Sequence, residues 1–402
     1  MRYGRAVMRY SLAVIGLLLA LMANAGMARA EEAPAARIAP EEVVESQLQA
    51  LQADQLKVFL DRLDSDARQV LPELNLREMI FPGKDGKSAL DLRRILAGLL
   101  KYLFKEIVAN ANLLGQLLVL AVICAILQQM QGAIGDKSFG DLTFAVSYLV
   151  LIFIGIKSFY YAAGFGRAAV DDMVSVMQAL LPMFSTLLVS IGGVTTAAIL
   201  HPLLFAVTSL VSTLMENVVI PLLFFSAVVG LAGNISEKFP MARLAALVRQ
   251  VAVATLGIFF SIFLGTMLVR GVTTPVTDAV TIRAGKFLAS NFIPIIGKMF
   301  SDAVEIVAGC SLLVKNALGL VGITLVLAFA AFPVLKILGI IIVYKVANAL
   351  MEPIGDKRLV EALGHLESSL TFLIVVVGAV GLMFFVSLTI IISVGSFTAG
   401  IH

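Results

Sequence analysis

From about residue 107 onward the chain is a series of apolar segments, each about 20 residues long, the length at which a helix crosses a bilayer. In hydrocarbon a backbone must satisfy its own N–H and C=O groups, and a helix does this within a segment of that length. The sequence therefore predicts an all-α, polytopic membrane protein. The segments run over 107–128, 142–162, 174–192, 196–215, 218–235, 251–270, 318–344 and 370–395, about eight transmembrane helices, with a range of seven to nine. Gly192-Gly193 and Glu216-Asn217 either divide 174–235 into three short spans or punctuate two long ones. Composition agrees: 14% of the chain is charged, against about 25% in soluble domains. The net charge is +3 and there is no long basic run, so nucleic acid is not an expected partner.

The N-terminus reads as a processing signal. Arg2, Arg5 and Arg9 precede an apolar core from Leu12 to Met22, and Ala28-Arg29-Ala30 is a small-residue cleavage site. Residues 1–30 are thus expected to be a cleaved secretory signal peptide, with an uncleaved first membrane helix as the alternative. Residues 31–94 form a separate region, predicted to be extracytoplasmic, where 13 of the 27 acidic residues fall. Pro40, Glu41 and Glu42 mark a helix start. Val44, Leu48 and Leu51, then Leu56, Phe59, Leu60 and Leu63, give short amphipathic helices one apolar face each. Those faces either pack on a partner or cover the membrane domain of residues 95–400. Phe81 to Gly86 reads as a turn, and Ser88 with Asp91 as a capping box for a helix that should lie along the membrane surface.

Lys and Arg gather in short cytoplasmic loops. The loop carrying Lys238, Arg243 and Arg249 and the one carrying Lys345, Lys357 and Arg358 fall on one side only if 287–316 does not cross completely. That segment is therefore expected to be a re-entrant or interfacial hairpin.

Charged groups inside apolar tracts are the candidates for function, because such groups normally face a protein interior, a polar cavity or each other. Lys298, Asp302 and Glu305 fall on one helix face by their spacing, with Lys315 further along. Pro294 and Gly297 are expected to break the helix before them, and Pro333 to break a helix further on. They line or gate a passage, or they belong to an amphipathic helix whose lysines reach the headgroups. Glu216 and Lys336, three residues after Pro333, are the other intrusions, and Glu216–Lys336 and Asp302–Lys336 are the pairs they offer. Gly192-Gly193, Gly319-x-x-Gly322 and Gly378-x-x-Gly381 allow close helix approach, within the chain or in a homo-oligomer. Cys124 and Cys310 sit in apolar stretches as inert thiols.

The sequence has no HExxH, no G-x-S-x-G and no P-loop. Asp302 with Asp356 would be the pair for an intramembrane aspartyl protease, but Asp356 lies in a charged loop. No enzyme activity, metal or cofactor is expected.

The motifs FIPIIGKMFSDA, SLLVKNALGLVG, AFPVLKI, EPIGD and GLMFFVSLTIIISVG, in that order, resemble the stage III sporulation protein AE family of endospore-forming bacteria. The resemblance implies a membrane component of the channel-like complex between mother cell and forespore, required for forespore development. It also implies other stage III proteins as partners: an ATPase, ring-forming proteins and small membrane components. The positions that carry over are Pro294, Gly297, Asp302, Lys315, Asn316, Gly319, Pro333, Lys336, Pro353 and Gly355, with Glu352 as a departure where an amide is common. A small-molecule transporter or permease is the alternative reading.

Overall fold

The computed structural model describes residues 40–51, 55–63, 70, 80, 92–134, 137–233, 241–292, 296–353 and 357–399. The expected signal peptide, the turn at 81–86 and the capping box of Ser88 and Asp91 lie outside the described residues. Every element among those described is a helix. Two short helices, α1 (Pro40–Ala50) and α2 (Gln55–Arg62), precede α3 (Leu92–Ala109) and α4 (Ala111–Ile134). The long helices α5 (Lys137–Ser190) and α6 (Val194–Leu214) follow, and a π-helical turn at Met215–Val219 joins α6 to α7 (Ile220–Ala232). Last come α8 (Ala242–Phe292), α9 (Ile296–Met351) and α10 (Lys357–Ala399).

All eight apolar segments fall in helices, but two pairs of them share one continuous helix. The segments 142–162 and 174–192 are both in α5, and 196–215 and 218–235 both contribute to the continuous helix Val194–Ala232. Among the described residues, five helices are long and apolar enough to cross a membrane, or six if the bent pair α3–α4 is one span, so the expected eight is not reached. The reason is local. Arg167, Asp171 and Asp172 end an apolar window, yet they stand among alanines and other residues that keep a helix going. At Glu216-Asn217 the chain takes one wider turn and continues. Only Gly192-Gly193 truly breaks the run: Gly192 has φ 93°, a left-handed conformation that glycine adopts without a Cβ clash.

Merging two pairs removes an even number of crossings, so the alternation of loops survives. The Ser226 hydroxyl donates to the Ala245 carbonyl at the α7–α8 end, and the Tyr148 hydroxyl donates to the Leu231 carbonyl nearby at 2.5 Å. The α7 and α8 ends about Leu231 and Ala245 thus lie beside the start of α10, where Gly230 approaches His365, near the Lys345–Glu367 pair at 3.3 Å. The described residues that flank the two basic loops therefore lie at one end of the bundle, as the charge rule requires. The segment 287–316 is the tail of α8 and the head of α9, which end at Phe292 and begin at Ile296, and Pro294 between them lies outside the described residues. Among the described residues no separate spanning helix falls there. Gly297 is the second residue of α9, and α9 runs unbroken through Pro333, which is therefore not a helix breaker here. Packed neighbours absorb the loss of one N–H at such a proline.

The centre of the bundle is formed by α5, α9 and α10. Between lipid-exposed helices no hydrophobic gain drives association, so close backbone approach and hydrogen bonds must hold the helices together. A Cβ added at Gly381 would stand 2.9 Å from Ala330 Cβ, and one at Gly319 would stand 2.4 Å from Ile392 side-chain atoms. Gly378, by contrast, faces open space. Most hydroxyls on the apolar helices, such as those of Thr255, Ser261 and Thr266, bond to the carbonyl four residues back, which removes their polar cost. Cys124 and Cys310 are buried and free, as expected.

The amphipathic N-terminal helices pack on this bundle. Val44 of α1, Leu51 just after it, and Leu56 and Phe59 of α2 are buried in the same core as α5, α9 and α10. The Gln47 amide donates to Ser311 Oγ of α9 at 2.8 Å, and Arg62 reaches Asp172 of α5 at 3.7 Å. Their apolar faces cover the membrane domain, the second of the two readings the sequence offered.

Candidate functional site: polar groups between the helices

Among the described residues, three polar loci stand out in the apolar packing. The first is a layer on α5. Arg167 donates to the Glu216 carbonyl oxygen at 3.5 Å, and Asp171 lies beside the same glutamate. The Ser212 hydroxyl donates to Glu216 Oε1 at 3.3 Å. On the adjoining face Asp172 meets Arg62, whose guanidinium also lies 5.3 Å from the centre of the Phe59 ring. Lys336 of α9 places its ammonium 5.3 Å from the Phe165 ring centre, one α5 turn before this group. The π-helical turn aims Glu216: an extra residue in one turn rotates the following face by about 100°, the angle between successive helical residues. Glu216 thus sits inside a continuous helix rather than near a segment end, with Ser212, Arg167 and Asp171 beside it.

The second locus is the crossing of α9 and α10. Lys315 is fully buried and donates from Nζ to the Ile392 carbonyl oxygen at 2.7 Å. Gly319, one turn on, makes the room for Ile392 to come so close. Asn316 presents a buried Oδ1 with no partner among the described residues. One turn before Lys315, Ser311 is buried, donates to the Val307 carbonyl and accepts from Gln47. Glu305 is exposed. Lys298 and Asp302 belong to the first turns of α9, but their side chains lie outside the described residues, as does Gly355.

The third locus was not visible in the sequence. Asp278 of α8 is 2% exposed and accepts two bonds of 2.9 Å, from Thr195 N to Oδ1 and from Thr196 N to Oδ2. Those amides open α6, where no side chain of α6 itself provides a cap. A carboxylate at a helix N-terminus satisfies orphan donors and meets the positive end of the helix dipole. The signal available was an acid three residues after Pro275, with a Gly-Gly pair elsewhere that starts another helix.

Of the sequence-predicted residues, the structure therefore packs Glu216 and Lys336 against α5 and Lys315 against α10. It also recruits Arg62, Arg167, Asp171, Asp172 and Asp278, which the apolar-window reading assigned to loops or to the soluble segment. These groups mostly bind helix to helix, and several do so through backbone carbonyls or amides.

An all-helical polytopic membrane protein whose interior charges stitch long helices together is the class defined by this fold. Within that class the chain belongs to the stage III sporulation protein AE family, whose model matches residues 74–395. It is 34% identical over 392 residues to the stage III sporulation protein AE of Bacillus subtilis (strain 168), covering 95% of this chain and 97% of that one. No solved structure matches. The membership gives the protein a role related to sporulation.

Proposed function

We propose that this protein is a membrane component of the channel-like, secretion-like complex between mother cell and forespore, acting as an assembly platform or as part of the conduit. It resides in the mother-cell membrane that surrounds the forespore, with its N-terminal segment outside the cytoplasm. Its partners are other stage III proteins: an ATPase, ring-forming proteins and small membrane components. It contributes structure rather than catalysis. The observation that carries the platform reading is the docking of the N-terminal helices through Gln47–Ser311 and Arg62–Asp172, which fixes the soluble segment to the bundle. A rigid connection of this kind transmits the position of the membrane domain to whatever the segment meets. Capture of the full chain from sporulating cells in mild detergent tests it: recovery of other stage III components is expected, and their complete absence would defeat the reading.

The fully buried Lys315 favours a second reading, a secondary transporter or permease, because charges inside membrane helices commonly mark a pathway. The measurement is flux of small molecules into the forespore. An Asp302→Ala, Lys315→Ala double variant that still assembles should lose that flux, and normal supply would rule the transporter out.

A further inference from the structure

The outer face of α3 is used by none of the contacts above. Its inner face is fixed on α9. Tyr102 packs edge-on against Phe332 with ring centres 5.0 Å apart, and a Cβ at Gly339 would lie 3.1 Å from Glu106 Cβ. Leu96, Leu100, Phe104 and Val108 point away from that contact, and their exposure climbs along the helix as 38, 57, 66 and 72%. At 3.6 residues per turn these four make a stripe about 120° wide. Arg94 and Lys101, both exposed, fall just beyond its edge, and Arg93, also exposed, falls within the arc at its N-terminal end. The helix therefore offers an apolar arc with a cationic border.

Two further facts select what covers this face. α3 meets α4 at a bend of 42°, and the exposed Val119, Val122, Ile123 and Ile126 of α4 continue the apolar surface into the bundle's outer wall. A second copy of the chain seated face to face would bring the same cations against each other. An anionic surface meets both the apolar arc and its border.

We propose that α3 is an interfacial helix that binds anionic phospholipid headgroups through Arg94 and Lys101, with Leu96, Leu100, Phe104 and Val108 seated among the acyl chains. Amphipathic helices with a basic polar edge bind bilayers in this way, and their lysine and arginine stems reach out to the phosphates. The assignment goes beyond a role in a complex, since it concerns the lipid and not a protein partner.

The chain has no tryptophan, so Phe104→Trp introduces the sole indole, at an exposed position that tolerates it. The full-length variant in proteoliposomes is compared with brominated phosphatidylglycerol and with brominated phosphatidylcholine at equal mole fraction. Quenching by both is expected, stronger by at least about twofold for the anionic lipid, because each basic residue near the surface adds attraction. Adding Arg94→Gln and Lys101→Gln should equalise the two lipids while quenching persists. Leu100→Trp, with the same expectation, guards against a local fault of one probe. No quenching from either probe means that protein, not lipid, covers the face. Equal quenching in the parent, or a preference that survives the glutamine variants, removes the headgroup assignment.

Discussion

Lys315 Nζ and the Ile392 carbonyl oxygen are joined by a 2.7 Å bond across the α9–α10 crossing, with the lysine wholly buried. The donor reaches a backbone acceptor, so the bond ties two helices together without depending on the identity of residue 392. Truncation removes both the bond and the packed stem. Lys315→Ala is expected to destabilise by about 2–4 kcal/mol, the range for a large-to-small change in a core. Lys315→Met keeps the stem and relieves the cost of burying a charge, so its loss should stay under about 1.5 kcal/mol. Unfolding in detergent by both variants, beside spore yield, separates the roles. A methionine variant of normal stability that fails to sporulate would show that the charge itself serves function.

Asp278 holds the start of α6 from another helix. In Asp278→Asn one oxygen becomes an amide that points donors at a donor, leaving a buried N–H unmet at a cost of about 1–3 kcal/mol. The amides of Thr195 and Thr196 should then exchange with deuterium faster than in the parent. Unchanged protection at these two positions would mean that the carboxylate does not cap the helix.

Gly381 and Gly378 sit one turn apart and should respond in opposite ways. Gly381→Ala meets Ala330 Cβ, a rigid neighbour, and should cost about 1–3 kcal/mol as an overpacked contact. Ala330→Gly in the same chain should recover most of that loss. Gly378→Ala faces open space and should be neutral or stabilising by up to about 1 kcal/mol, the helix preference of alanine. Thermal unfolding of the four proteins measures the set, and failure of the Ala330→Gly rescue would contradict the contact.

The docking of the N-terminal helices rests on apolar burial more than on the Arg62–Asp172 pair, whose side chains are 51% and 30% exposed. Arg62→Ala should therefore change little, within about 1 kcal/mol. Val44→Asp places a charge where the parent buries a methyl-rich side chain and should release α1. Losing about 1.5–3 kcal/mol of burial raises opening by at least about tenfold. Trypsin cleavage at Lys57 and Arg62 in the folded protein reports that opening. Equal rates in parent and Val44→Asp would show that the segment is not held by this face.

The helical character was legible because apolar runs of spanning length leave a chain few alternatives. How the runs join was not. A charged pair such as Asp171-Asp172 ends an apolar window without ending a helix, and nothing in the linear pattern says that Arg62 and Glu216 wait to receive it. Lys315 and Glu216 stood out from the sequence because charge in an apolar tract is costly. Their partners did not stand out, since a backbone carbonyl at Ile392 carries no sequence signature and cross-helix register is a tertiary property. Asp278 was passed over for the opposite reason: it lies in a polar stretch, where an acid draws no notice until the start of α6 is laid against it.

The 54 residues of α5 form one continuous helix, about 81 Å long at 1.5 Å per residue. The hydrocarbon of a bilayer is only about 30 Å thick, so α5 is more than twice as long as a perpendicular crossing needs. α2 meets this element at Asp172 and α10 lies along it, so a single helix joins the N-terminal segment to the centre of the bundle.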